Sequence, residues 1–340
     1  MATVLIALMW TSVTVYALLG GADYGAGVWD LLAGGRRRGA PVRDHIAHAI
    51  GPVWEANHVW LIFVLVLMWT GFPSAYAAIA STLYLPLTLV ALGVIARGAA
   101  FAFRKAIDVP WAQQAFGAAF AFSSVVTPFT LGAAAGAIAS GRVPAGLARG
   151  NAVTSWINPT SLLTGVFAVL ACAFLAAVYL TVEPGERELT DYFRRRALVS
   201  GVLAGALSLA GLAILHADAH RLFTGLTGRA LPLVIAAGLC GTATLALAFS
   251  HRYAQLRITA AATIALVLWS WGLAQFPRLL PPDLTVDGAA APASTLHATL
   301  VAAGVGALVL IPALVLLLRM PRTVPNVIRS RDGADLDHHQ

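Results

Sequence analysis

Charge is scarce in this sequence, and lysine is nearly missing. Of 340 residues only 11% are Asp, Glu, Lys or Arg, and Lys105 is the single lysine among 22 basic residues. Soluble domains carry roughly 25% charged residues. A chain that is 59% apolar, with a mean hydropathy of +0.79, therefore belongs to the polytopic membrane class. Cysteine is almost absent too. Cys172 and Cys240 both lie inside apolar runs, match no metal-ligand spacing and read as packing residues rather than a disulfide. No basic residue precedes Arg36, so the apolar run 4–19 lacks the positive segment of a cleavable signal and reads as a retained helix. The net charge of +7 comes from arginines in short connections, where they orient helices. That placement excludes nucleic-acid binding.

What is present in quantity is apolar run. Crossing about 30 Å of hydrocarbon takes about 20 residues. Nine stretches qualify, near 2–20, 50–70, 74–103, 112–140, 152–181, 197–216, 230–250, 257–276 and 295–318. The first can continue as helix through Gly20. With nine spans, sixteen basic residues fall on one side and five (Arg142, Arg149, Arg221, Arg229 and Arg278) on the other, while Arg97 lies within a span. The positive-inside rule then places the N-terminus outside and the C-terminus in the cytoplasm. The expected fold is all-α: a nine-helix transmembrane domain over 1–319, followed by a polar cytoplasmic tail, 320–340, whose composition predicts disorder. The connection 277–294, rich in Pro, Ala and Gly, reads as an irregular surface loop.

A few polar groups interrupt these runs. Residues 51–62 read Gly-Pro-Val-Trp-Glu-Ala-Asn-His-Val-Trp-Leu-Ile, which sets Glu55, Asn57 and His58 at the mouth of a span, framed by Trp54 and Trp60. Ionisable groups there are costly unless paired, hydrated or able to change protonation. A carboxyl group in low dielectric titrates nearer neutral pH and can exchange protons, so Glu55 is a candidate proton carrier. The competing reading is a structural acid tied by hydrogen bonds to Asn57, His58 or the indoles. His48, seven residues earlier, would extend a polar track. Asp23 lies in Gly-Gly-Ala-Asp-Tyr-Gly-Ala-Gly at 20–27. As a loop, these glycines would serve turns; as a helix, the reading preferred here, they let a neighbouring helix approach and bring Asp23 against it. Arg97 either snorkels to the interface, the simpler reading, or neutralises an acid such as Asp23 or Glu55, or a ligand carboxylate.

Haem ligation needs inward-facing His or Met within the spans. His48, His58, Met9, Met68 and His297 come nearest, without a matching pair. A di-iron site needs two Glu-x-x-His elements, and Glu55–His58 is one. The expectation is that this chain holds no haem ligand and no metal.

The order Trp54-Glu55-x-Asn57-x-x-Trp60-Leu61 resembles the start of the second helix in subunit II of cytochrome bd-type quinol oxidases. Gly-Ala-Asp-Tyr-Gly-Ala-Gly-Val at 21–28 is similar to that family's first-helix element. Asn-Pro-Thr-Ser-Leu-Leu-Thr-Gly at 158–165 is similar to the start of its fifth helix, and Gln275-Phe276-Pro277 to the end of its eighth. The number and order of spans agree over essentially the whole chain. The resemblance implies a terminal oxidase of the bacterial cytoplasmic membrane that oxidises quinol and reduces oxygen to water. Subunit I would carry haems b and d and the quinol-oxidising loop. The present chain would be the haem-free partner that stabilises subunit I. Proton or oxygen access, a structural quinone and small accessory subunits are further roles and partners the resemblance allows. It puts Glu55 on the family's motif acid, more often Asp, beside a proposed cytoplasmic proton route. Asp23 falls on the first-helix acid and Arg97 on a third-helix arginine. His58 stands where the family has Gln or Thr, which argues against a metal role. The alternative from another class is a secondary transporter using Glu55, Asp23 and Arg97 inside the membrane; the polar groups gather near helix ends rather than at the midplane, which speaks against it.

Overall fold

The computed structural model describes residues 1–35, 37–50, 54–106, 109–183 and 186–319; the side chains of residues 54–56 and the tail 320–340 lie outside the described set. In hydrocarbon every backbone N–H and C=O must find a partner within the protein, so the apolar runs fold as helices. In chain order these are α1 (Ala2–Leu31), α2 (Ala40–Ile50), α3 (Trp54–Gly71), α4 (Pro73–Thr82), α5 (Tyr84–Ala106), α6 (Pro110–Ala139), α7 (Pro159–Val182), α8 (Arg187–Asp218), α9 (His220–Thr227), α10 (Leu231–Phe249) and α11 (Tyr253–Gln275). A short antiparallel pair, β1 (Arg278–Leu280) and β2 (Leu284–Thr285), precedes α12 (Val286–Ala289) and α13 (Ala293–Arg319).

Among the described residues, seven helices are long and apolar enough to cross a membrane. The pair α3–α4, bent by 118°, would make an eighth as a broken or re-entrant span, and 84–100 is a shorter apolar helix. The span expected at 74–103 is therefore not continuous. Leu83 interrupts it, and Pro86, at the third position of α5, has no N–H to continue the ladder back to Thr82. The bend before α4 has a similar cause, because Pro73 opens that helix after the extended-side residue Phe72. The span expected from 152 starts later, at Pro159. Asn158 caps α7, its Oδ1 accepting from the Ser161 N–H at 2.9 Å, while proline at the first helical position needs no partner. The first span does run on through the glycine motif, giving a 30-residue helix.

The bundle centres on α7. Ala173, Ala176, Ala177 and Val178 are essentially inaccessible, and α7 packs against α1, α6, α8 and α11. Small side chains bring these backbones close, the usual basis of helix association where solvent supplies no drive. Gly25 illustrates it: a Cβ there would overlap the Cys172 carbonyl of α7. The connection after α11 is more ordered than its composition predicts. Leu279, Leu280, Val286 and Ala289 are buried, and Thr285 Oγ1 accepts from the Gly288 N–H at 3.1 Å. By internal contacts the chain forms two compact units, Met1–Leu296 and His297–Gln340. The described part of the second is the body of α13, an apolar helix with Pro312 inside it.

Candidate functional site

The glycine motif of α1 carries a buried ion pair. Asp23 is 4% exposed and Arg97, on α5, 2%. The Arg97 guanidinium donates through Nη2 to Asp23 Oδ1 at 2.6 Å and through Nε to Oδ2 at 3.2 Å. Nη2 also donates to the Asp23 carbonyl at 2.8 Å, and Nη1 donates to Ser124 Oγ on α6. The Ser124 hydroxyl in turn donates to the Phe120 carbonyl at 2.5 Å. The guanidinium lies 4.2 Å from the Phe120 ring centroid and 5.0 Å from that of Tyr24. Gly27 makes room for this contact, since a Cβ there would overlap the Ser124 side chain. One arginine thus ties three helices together. The snorkelling reading of Arg97 is corrected: the side chain turns inward to a carboxylate, because the glycine face of α1 leaves space for bidentate pairing that would desolvate an isolated charge at much greater cost.

Next to the pair, Tyr16 and Tyr24 share a hydrogen bond of 3.2 Å, and the Tyr16 ring meets the half-buried His58 of α3 edge-on at 6.4 Å between centroids. Asn57 is 3% exposed. Its Nδ2 donates to the Leu19 carbonyl at 3.3 Å, while its Oδ1 has no hydrogen-bond partner among the described residues. Trp60 is half-buried on the same helix. Trp54 and Glu55 fall in the first turn of α3, and their side chains lie outside the described set, as do Gly51 and Pro52. His48 is exposed on α2 and its Nδ1 lies 2.7 Å from the Asp44 carbonyl. No hydrogen bond among the described residues joins it to Asp23. The sequence-derived group therefore separates: Asp23 and Arg97 meet directly, Asn57 and His58 flank α1 beside them, and His48 stands apart.

Two further polar clusters carried no sequence signal. At the end of the bundle where α6 and α8 finish, Arg142 forks onto Asp218, Nη2 to Oδ1 at 2.5 Å and Nη1 to Oδ2 at 3.0 Å. Asp218 Oδ2 also accepts from the Thr160 N–H at 3.1 Å and the Thr160 hydroxyl at 2.5 Å, so it caps α7 from outside that helix. At the opposite end Asp30 pairs with Arg43 at 2.9 Å, Trp29 Nε1 donates to the Ala173 carbonyl at 2.8 Å, and His45 Nε2 lies 3.1 Å from the Leu180 carbonyl. The Arg43 and His45 contacts dock α2 onto the ends of α1 and α7, and the Trp29 bond ties α1 to α7. No cluster of three or more His, Cys, Asp or Glu suited to a metal occurs among the described residues.

Such a molecule is a membrane helix bundle in which, among the described residues, the buried charges of Asp23 and Arg97 hold helices together. The chain belongs to the family of cytochrome bd terminal oxidase subunit II, whose description matches residues 1–320. Among curated relatives it is 27% identical over 303 residues, 87% of each chain, to cytochrome bd ubiquinol oxidase subunit 2 of Bacillus subtilis. It is 28% identical over 210 residues to cytochrome bd-I ubiquinol oxidase subunit 2 of Escherichia coli K12, spanning 59% of this chain and 54% of that protein. In fold it is similar to a chain of the bd oxidase from Geobacillus thermodenitrificans, with TM-score 0.72 and 22% identity, covering 94% of this chain and 97% of the other.

Proposed function

We propose that this chain is the haem-free subunit II of a cytochrome bd-type terminal oxidase. It would assemble with a haem-bearing subunit I in the bacterial cytoplasmic membrane and stabilise it. The observation that carries the reading is the family match from residue 1 to 320. The Asp23–Arg97–Ser124 clasp supports it, because this pairing locks α1, α5 and α6 into a fixed frame. In this reading haems b and d belong to subunit I, and the present chain supplies apolar helix faces and a rigid body. α3 and α5 complete nine spans, with the N-terminus outside and the 320–340 tail in the cytoplasm. Proton handling is assigned to Glu55, at the mouth of α3, with Asn57 and His58 as its neighbours in sequence.

The transporter alternative is not favoured, because Arg97 and Asp23 satisfy one another instead of presenting an open midmembrane charge. Purification tests the proposal. Co-expression with its partner should yield a complex containing this chain and a haem-rich subunit, with quinol oxidase activity. A colourless, stable homo-oligomer would overturn it.

A further inference from the structure

Three of the five arginines on the less basic side of the chain converge on one cavity. It has a volume of about 440 Å³ and is lined by Arg221, Arg229 and Arg278 together with Thr224, Gln275 and Pro281; no carboxylate lines it. The floor is apolar. Ala139, Leu222 and Ala274 belong to a buried satellite cluster where α6, α9 and α11 meet. The cavity sits where α6, α8 and α11 end and α10 begins, which is the level of the bilayer headgroups on any placement of these spans.

The arginines are aimed as well as gathered. Arg229 is fixed by donating Nη2 to the Ala274 carbonyl at 2.6 Å, and Arg278 by donating Nε to the Pro282 carbonyl at 2.9 Å. Each spends one of five donors on the scaffold, leaving the remainder for a ligand. Arg221 makes no side-chain hydrogen bond or ion pair among the described residues. One carboxylate, Asp218, lines an adjoining cavity of about 270 Å³ with Arg221 and His220. It is already taken up by Arg142 and Thr160. Capping of α11 explains Arg229 alone. It explains neither the exposed Arg221 nor the convergence of all three around a shared space, where like charges repel unless an anion sits between them.

We propose that this cavity binds the phosphate of an anionic phospholipid, with the three guanidiniums on the headgroup and the apolar rim toward the acyl chains. Guanidinium forks match phosphate oxygens in charge and geometry. The site rests on residues of this chain alone, while the test below uses the complex of the oxidase reading; a complex that forms with its haem but shows no lipid selectivity fails this inference and not that reading.

The test uses the purified complex in lipid nanodiscs containing phosphatidylglycerol or phosphatidylcholine, with bound lipid counted by native mass spectrometry. Wild type should retain phosphatidylglycerol selectively. Arg221→Gln and Arg278→Gln should each weaken that retention about fivefold and together about 25-fold, with haem content and phosphatidylcholine retention unchanged. Equal retention of the two lipids by wild type, or wild-type phosphatidylglycerol retention in the double variant, would overturn the proposal. If Arg278→Gln fails to assemble, Arg221→Gln and Arg221→Glu decide, because that side chain carries no structural bond. Inorganic phosphate added to delipidated complex separates the sources. Thermal protection by phosphate equal to that by phosphatidylglycerol, and lost in Arg221→Gln, would mark a free-phosphate site and overturn the lipid assignment.

Discussion

Replacing Asp23 by Asn leaves a guanidinium in the centre of the bundle with one neutral amide in place of a carboxylate. The amide can accept at one position where the carboxylate accepted at two, at 2.6 and 3.2 Å. The bond to the Asp23 carbonyl and the bond to Ser124 survive. With Arg97 2% and Asp23 4% exposed, solvent does not rescue the charge. Breaking a buried pair from one side costs about 3–5 kcal/mol, and each 1.4 kcal/mol is a factor of ten in an equilibrium constant, so the assembled fraction should fall at least a hundredfold relative to its alternatives. Arg97→Met strands the carboxylate instead and should cost as much. The double variant Asp23→Asn/Arg97→Met removes both charges and should recover most of the loss, because two apolar or neutral groups of similar volume tolerate burial well. Haem per complex after solubilisation and the rate of thermal inactivation of the purified complex measure all four proteins. Strong non-additivity, with the double variant better than either single one, is the expected result. If the two single variants cost under about 1 kcal/mol each and their effects simply add, the pair is not a clasp and the argument fails.

Other perturbations probe neighbouring elements. Gly27→Val would drive a branched side chain into Ser124 and toward Arg97; overpacking of about 1–3 kcal/mol should appear as reduced assembly, with Gly27→Ala milder. Asp218→Ala removes both the Arg142 fork and the outside cap on α7. Arg142 is 33% exposed, so the expected loss is about 1–2 kcal/mol after solvent screening, seen as faster proteolysis within 140–158. Glu55→Gln should lower turnover per haem while leaving assembly intact, and Glu55→Asp should restore most of it. Full turnover in the Gln variant would remove Glu55 from proton transfer.

The sequence carried the helices plainly, because long apolar runs in lipid have one hydrogen-bonded solution. It also carried the start of α7, where Asn158-Pro159 pairs a cap with a first-turn proline, although the apolar count alone placed the start near 152. The break between α4 and α5 was legible in the same way and was overlooked. Pro86 sits in a run whose average hydropathy hides it, and proline is suited to the first turn of a new helix, where its missing N–H needs no partner. Leu279, Leu280 and Val286 were apolar residues in a loop rich in proline and alanine, and their burial is what ordered it. The partners of the internal charges were another matter. Arg97 and Asp23 are 74 residues apart, and Arg142 and Asp218 are 76. No spacing rule links such positions; the pairing follows from which helix faces meet, and α1 meets α5 and α6 there because glycine at position 27 lets Ser124 approach.

That geometry also sorts the acids by the work they can do. Both carboxylate oxygens of Asp23 are occupied by Arg97, through Nε and Nη2. A residue that clasps three helices is poorly placed to release its hold on every turnover. Asn57 offers the contrast. It is buried one turn into α3, with Nδ2 used and Oδ1 unpartnered among the described residues, and a buried acceptor left open is costly unless a donor reaches it. The proposal of proton handling at Glu55 predicts a division of labour between a fixed acid on α1 and a working acid on α3. Asp23→Asn should then act on assembly and leave the pH profile of the surviving enzyme unchanged, whereas Glu55→Gln should do the reverse. A pH profile that moves with Asp23 and stays put with Glu55 would exchange their roles.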